Sequence, residues 1–175
     1  MKKTSRSDAT YMLSKQALAS LDNNTRELLL LNWWGIDDSD EEFSLLSKEM
    51  QELLVSNEEP PSDVQNPLYD ELLLIALYSE YKGVTNSYLS ASMRKMGLGE
   101  HEVVGFIEPL ETCPCCGYRT ISSRANYEIC DLCRWEDSGV VDPEQYSGPN
   151  HMTLGEAKAI LAKSMCTLPL YKWAI

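Results

Sequence analysis

The chain has 175 residues, 43% of them hydrophobic, with 15 lysines and arginines against 27 aspartates and glutamates, a net charge of −12. A chain of this size can bury a core without disulfide staples, and it is expected to fold as one domain or as one domain with a small appended module. The acidic balance disfavours direct nucleic-acid binding, which needs a basic surface. No apolar run approaches the roughly 18 residues of a membrane span, and no apolar segment follows the basic Met1–Arg6 as it would in an ordinary secretory signal.

Residues 1 to 108 read as helical. Ser7 or Asp8 can cap a helix running to about Leu21, and Asn24 or Thr25 can cap a second over Arg26–Trp34, closed by Gly35. Adjacent on one helix, Trp33 and Trp34 point about 100° apart, so at least one is expected to be buried. A third helix is predicted from about Glu42 to Val55, where Leu45, Leu46, Met50, Leu53 and Leu54 recur at three- and four-residue steps. Pro60-Pro61 places a loop after it. Asn66-Pro67 opens a helix continuing to about Lys82, apolar nearly all round and therefore central, and Asn86 can cap a further helix over Ser87–Met96, closed by Gly97.

Charge is concentrated in one stretch. Thirteen acidic residues lie between Asp37 and Glu80 against a single basic one, Lys48, so this stretch carries the whole −12 and the rest of the chain is neutral. It is either a solvated face or a docking surface that steers a basic partner. The candidate partner-binding residues are Asp37, Asp38, Glu41 and Glu42, with Glu58, Glu59 and Asp63.

After Glu108 the composition changes, and five of the six cysteines fall between positions 113 and 133. Such clustering in a chain that needs no staples favours metal binding in a reducing compartment, the cytoplasm. Cys113-Pro114-Cys115-Cys116 and Cys130-Asp131-Leu132-Cys133 form two C-x-x-C pairs separated by the 13 residues Gly117–Ile129. Two such turns, brought together by a hairpin of Tyr118–Ser122 with Tyr127–Ile129, set Cys113, Cys116, Cys130 and Cys133 around one ion. Four sulfurs suit a structural Zn²⁺, one per chain, with no open position. An iron centre and a redox dithiol are the other readings; the Gly-Tyr and second pair that follow the first turn favour the metal. Cys115, between two ligands, is expected to point outward, and Cys166 to be a small buried residue. Trp135 and Tyr118 are expected to pack a mini-core, Glu136 and Asp137 to be polar loop residues, and His151 to be structural; His101 stands in no motif. Thr153 and Glu156 form a capping box for a helix whose buried face is Leu154, Ala157, Ile160 and Leu161.

With Cys113-Pro114-Cys115-Cys116-Gly117-Tyr118, Tyr127-Glu128-Ile129-Cys130, Cys133-Arg134-Trp135-Glu136-Asp137 and Gly148-Pro149-Asn150-His151 before Leu154-Gly155-Glu156-Ala157, the segment Cys113–Lys163 resembles the bacterial cysteine-rich CPCC family. The resemblance covers just under a third of the chain. It implies a zinc-ribbon-like module in a bacterial cytoplasmic protein and carries no catalytic residue with it.

The expected fold is α+β: an acidic helical domain over 1–108, then a zinc-ribbon-like module over 109–175 with a C-terminal helix. No nucleophile–base pair or phosphate-binding glycine loop is apparent, so no catalytic residue is assigned and the chain is not expected to be an enzyme. In general character it is similar to immunity proteins, and the expected function is neutralisation of a cognate toxin, a basic nuclease for instance, by direct binding. A regulatory or adaptor zinc ribbon in a larger complex is the alternative. The sequence specifies no oligomeric state.

Overall fold

A computed structural model of the chain describes residues 2–175. The chain opens with strand β1 (Lys2–Ser5), which pairs in parallel with β2 (His101–Val104), Lys2 opposite His101 and Ser5 opposite Val104. This pairing is absent from the helical reading of residues 1–108, because a two-strand contact across almost a hundred residues leaves no local periodicity in a segment as polar as Lys2-Lys3-Thr4-Ser5. His101 is held inside it: Nδ1 meets the Thr4 hydroxyl at 2.6 Å and Nε2 the Leu98 carbonyl at 3.1 Å.

Helix α1 (Arg6–Ala19) is capped by Ser5 rather than by Ser7 or Asp8, the Ser5 hydroxyl accepting from the Asp8 N–H. Helix α2 (Asn23–Trp33) starts earlier than predicted, because the Asp22 carboxylate accepts from the Thr25 N–H at 2.7 Å. Trp34 is buried and Trp33 half-buried. The predicted third helix is two elements, a 3-10 turn (Glu41–Leu45) and helix α3 (Lys48–Ser56), separated at the Ser47 cap. Ser47 donates its backbone N–H to Glu71 and caps Met50, so the helical pattern breaks there and Leu45 is left exposed.

Asn66 and Pro67 open a 3-10 turn (Pro67–Tyr69) that runs into helix α4 (Asp70–Ser79). α4 lies between α1 and α2, which explains its apolar surface on more than one face. Helix α5 (Asn86–Lys95) is capped by Thr85, one residue before the predicted cap. Strands β3 (Glu111–Thr112) and β4 (Arg119–Ile121) form a hairpin, β5 (Tyr146–Ser147) and β6 (Met152–Thr153) another, and helix α6 (Leu154–Ser164) follows with the predicted capping box in place. The architecture is thus α+β, six helices with short strands. No helix among the described residues is long and apolar enough to cross a membrane.

Two apolar clusters organise the packing. One joins α2, α3 and α4 through Leu30, Trp34, Met50, Leu54, Leu72 and Leu73. The other takes Ala9 and Leu13 of α1, Leu89 and Met93 of α5 and Val103 of β2 together with Ile121, Trp135, Leu154 and Trp173. The C-terminal segment completes it by returning to α5, where the Thr85 N–H donates to the Lys172 carbonyl at 2.9 Å. Arg6 ties the same region from inside. Its guanidinium, 5% exposed, donates to both Glu108 carboxylate oxygens, to the Val84 and Tyr81 carbonyls and to Asn86.

Candidate metal centre

The two C-x-x-C segments fold into the same turn. In the first, the Cys113 N–H donates to the Tyr118 carbonyl and the Gly117 N–H to the Cys113 carbonyl, both at 2.9 Å. In the second, the Cys130 N–H donates to the Trp135 carbonyl and the Arg134 N–H to the Cys130 carbonyl, both at 2.8 Å. The fifth position of each turn is left-handed, Gly117 at φ +81° and Arg134 at φ +65°. Glycine is at ease there and arginine is not. Each turn sits at the tip of its own hairpin, β3–β4 for the first and the Ile129–Glu136 bridge for the second. This corrects the predicted pairing of 118–122 with 127–129, because each turn closes with strand partners immediately on either side of it.

The linker between the hairpins is fastened through Asp137. Its buried carboxylate accepts from Arg124 Nε at 2.7 Å, from the Ala125 N–H at 2.8 Å and from the Gly139 N–H at 3.3 Å. Asp137 is therefore an internal tether, not a solvated loop residue. Burial alone would raise its carboxyl, but the hydrogen bonds from Arg124 and the two backbone N–H groups outweigh that and hold it below the ordinary range. The signal for this role is the Asp-Ser-Gly triplet, in which an aspartate accepts from the backbone two residues on.

The two turns bring Cys113, Cys116, Cys130 and Cys133 together, with all four sulfurs within 4.8 Å of one another. Cys113 Sγ lies 3.7 Å from Cys133 Sγ, and Cys116 Sγ 3.7 Å from Cys130 Sγ. An ion bound tetrahedrally through metal–sulfur bonds of about 2.3 Å sets its sulfurs about 3.8 Å apart, so the donor set fits one metal ion. Cys113 and Cys130 are buried, while Cys116 and Cys133 are half-buried. The Cys130 sulfur also meets the Thr120 hydroxyl at 2.9 Å and the Cys133 N–H at 3.4 Å. Hydrogen bonding from Cys113 first, then from Cys116 and Cys133, pulls the Cys130 thiol far down. The same contacts push the Cys116 and Cys133 thiols up, in both cases led by Cys113. Crowded thiols resist ionising all together, and a dication would supply the charge that lets all four do so.

Other cysteine expectations are corrected. Cys115 does not point outward: it is 8% exposed and, with Cys133, Ala157 and Leu161, lines a cavity of about 320 Å³ beneath α6. Its thiol lies beside that of Cys133, at the edge of the tetrad, and faces the cavity that α6 also lines. Cys166, expected to be buried, is exposed in a 3-10 turn (Met165–Thr167). Of the expected buried face of α6, Leu154 and Ala157 are buried and Leu161 partly so, while Ile160 is exposed. Trp135 is buried and Tyr118 packs partly buried against the same cluster. His151 is exposed, at φ +54°.

The acidic candidates fall on two segments. Asp37, Asp38, Glu41 and Glu42 lie in and just before the 3-10 turn between α2 and α3, and Glu58, Glu59 and Asp63 in the loop after α3. All are exposed except Glu42, which is half-buried. Hydrogen bonds from the Ser39 hydroxyl and N–H hold the Asp37 carboxyl below its ordinary value. None of the seven forms a salt bridge among the described residues.

Two equivalent turns presenting four thiols to one point make a four-cysteine site positioned to hold a metal ion. Residues 111–164 match the family described as Cysteine-rich CPCC, and the match includes both cysteine pairs and α6. No curated protein and no solved structure matches the chain.

Proposed function

We propose that the tetrad holds one structural Zn²⁺ and that the protein acts by binding rather than by catalysis, as an immunity-type protein that neutralises a basic toxin. The closed donor set supports the first part. Four protein thiolates complete a tetrahedral ion and leave no position for water or substrate. Bound zinc would clamp the two hairpins to each other, and its binding free energy would appear as folding free energy.

The observation that carries the binding reading is the set of seven exposed or half-exposed carboxylates, on two neighbouring segments, without a cation of their own. Such a surface suits a basic protein and steers its approach, and nuclease toxins are basic because they bind phosphate. Sequencing the genes on either side of this one, and co-expression with any toxin-domain gene found there, tests it. Growth is expected to be restored, with formation of a one-to-one complex whose association slows as salt is raised. An acidic natural partner, or no protection, overturns it.

A further inference from the structure

Between α1, α4 and the 3-10 turn Glu41–Leu45 runs a groove of about 430 Å³, within the range of ligand-binding clefts. Tyr11 and Ser14 of α1, Leu74, Ile75 and Tyr78 of α4, and Leu45 form its walls. Three of these are large apolar side chains left open to solvent, Tyr11 at 54%, Leu45 at 74% and Tyr78 at 43% exposed. Ser14 is 1% exposed, yet its hydroxyl has no hydrogen-bond partner among the described residues. One turn earlier, Thr10 donates to the Arg6 and Ser7 carbonyls in the usual helical manner. Charge at the rim is asymmetric. Glu41 and Glu42 stand on the wall of the 3-10 turn without a salt bridge, whereas of the other charged lining residues Glu108 is engaged by Arg6 and Lys82 is positive.

We propose that this groove is where the basic partner docks, through an apolar side chain flanked by lysine or arginine on an amphipathic segment. The proposal rests on the reading of the protein as a binder of a basic partner and narrows it to one place. Charge complementarity selects the occupant. The apolar side chain covers Tyr11, Leu45 and Tyr78, and the cation sits by Glu41 and Glu42; Lys82, and Lys15, whose ammonium lies over the Tyr11 ring, disfavour a cation elsewhere along the groove.

The test uses the full-length, zinc-loaded protein and a fluorescein-labelled peptide of about four helical turns with leucine on one face and lysine on the other. Fluorescence anisotropy is expected to show binding that weakens at least about tenfold when the leucines become serine at unchanged charge, and that vanishes when the lysines become glutamate. On the protein, Leu45→Arg, and Glu41→Lys with Glu42→Lys, are expected to weaken binding at least about tenfold, while the same double reversal at the exposed Glu111 and Glu144, Glu111→Lys with Glu144→Lys, costs less than about threefold. Circular dichroism melts confirm that each variant folds, Leu45 being mostly exposed. Equal affinity for the serine peptide, full affinity of Leu45→Arg, or an equal loss from the Glu111 and Glu144 reversals overturns the groove as the site. Absence of any binding overturns it too. In each of these cases protection by co-expression decides separately whether the wider reading survives. If protection is retained by Leu45→Arg, the partner docks elsewhere; if it is absent from the parent protein, the immunity reading itself falls.

Discussion

Single residues carry strain and unmet hydrogen bonds that mutation can expose. Gly117 and Arg134 occupy the same position in two equivalent turns, both left-handed. A Cβ at Gly117 would meet nothing within 4 Å, so Gly117→Ala is expected to cost only the conformational penalty, about 1–2 kcal/mol. Arg134→Gly should relieve that penalty and raise stability by up to about 1 kcal/mol, the looser unfolded chain taking back part of the gain. Chemical denaturation of the zinc-loaded variants reads both, and a loss of stability in Arg134→Gly would mean that the arginine side chain makes a stabilising contact that outweighs its backbone strain. Ser14→Ala is expected to stabilise the free protein by about 1 kcal/mol, since it removes a buried hydroxyl that has no partner. An unchanged or lower melting temperature would contradict this.

At the level of elements, the short polar contacts at chain ends decide where helices begin. The Thr153 hydroxyl accepts from the Glu156 N–H and the Glu156 carboxylate from the Thr153 N–H, so two otherwise unpaired donors at the start of α6 are satisfied. Thr153→Ala should lower stability by about 1 kcal/mol, with Thr153→Ser restoring most of it, as thermal melts would show. α6 also walls the cavity that Cys115 and Trp135 line, so fraying of its first turn should speed alkylation of Cys115 in the zinc-loaded protein. An unchanged alkylation rate in Thr153→Ala would place the protection of Cys115 elsewhere.

Across the whole molecule, the metal module and the N-terminal helices share one packed cluster, and Arg6 and Glu108 join the first helix to the chain just before the cysteines. Chelation of the ion, or serine at Cys113, Cys116, Cys130 or Cys133, is therefore expected to reduce hydrogen-exchange protection in α5 and β2 as well as in residues 111–164, while Cys115→Ser and Cys166→Ser keep full zinc content. Protection lost only after residue 110 would mean that the two parts fold independently. Glu108 adds a pH dependence. Burial raises its carboxyl, but the hydrogen bonds from Arg6 and Gly83 prevail and hold it below its ordinary 4.5. A carboxyl depressed in the folded state stabilises fully above its unfolded pKa, and the contribution is lost as pH falls from about 4.5 toward the folded value. Glu108→Gln should then cost about 1 kcal/mol at neutral pH, a modest figure because the side chain is 38% exposed and screened, and less than that in acid. Comparing parent and variant at the same pH and zinc content cancels the acid lability of the thiolates, and an equal difference at pH 7 and pH 3.5 would show that the Arg6 pair does not contribute.

What the sequence determined by itself is local. The cysteine spacing, Gly117, the Thr153–Glu156 capping box and the three- and four-residue apolar steps each act within one or two turns of chain, so the four ligand candidates, the helical character of the first hundred residues and the start of α6 were all legible. The acidic bias between Asp37 and Glu80 was legible as charge, though not as shape. Tertiary structure decided what depends on distant partners. It paired Lys2–Ser5 with His101–Val104, buried Cys115 beneath α6, made Asp137 a tether and surrounded Arg6 with carbonyls from the α4–α5 connection. It also split the predicted helix at Ser47, since only Glu71, 24 residues away, shows why the chain turns there. A backbone hydrogen bond or an apolar contact between remote segments leaves no period in the sequence, and it becomes visible only when packing brings the two together.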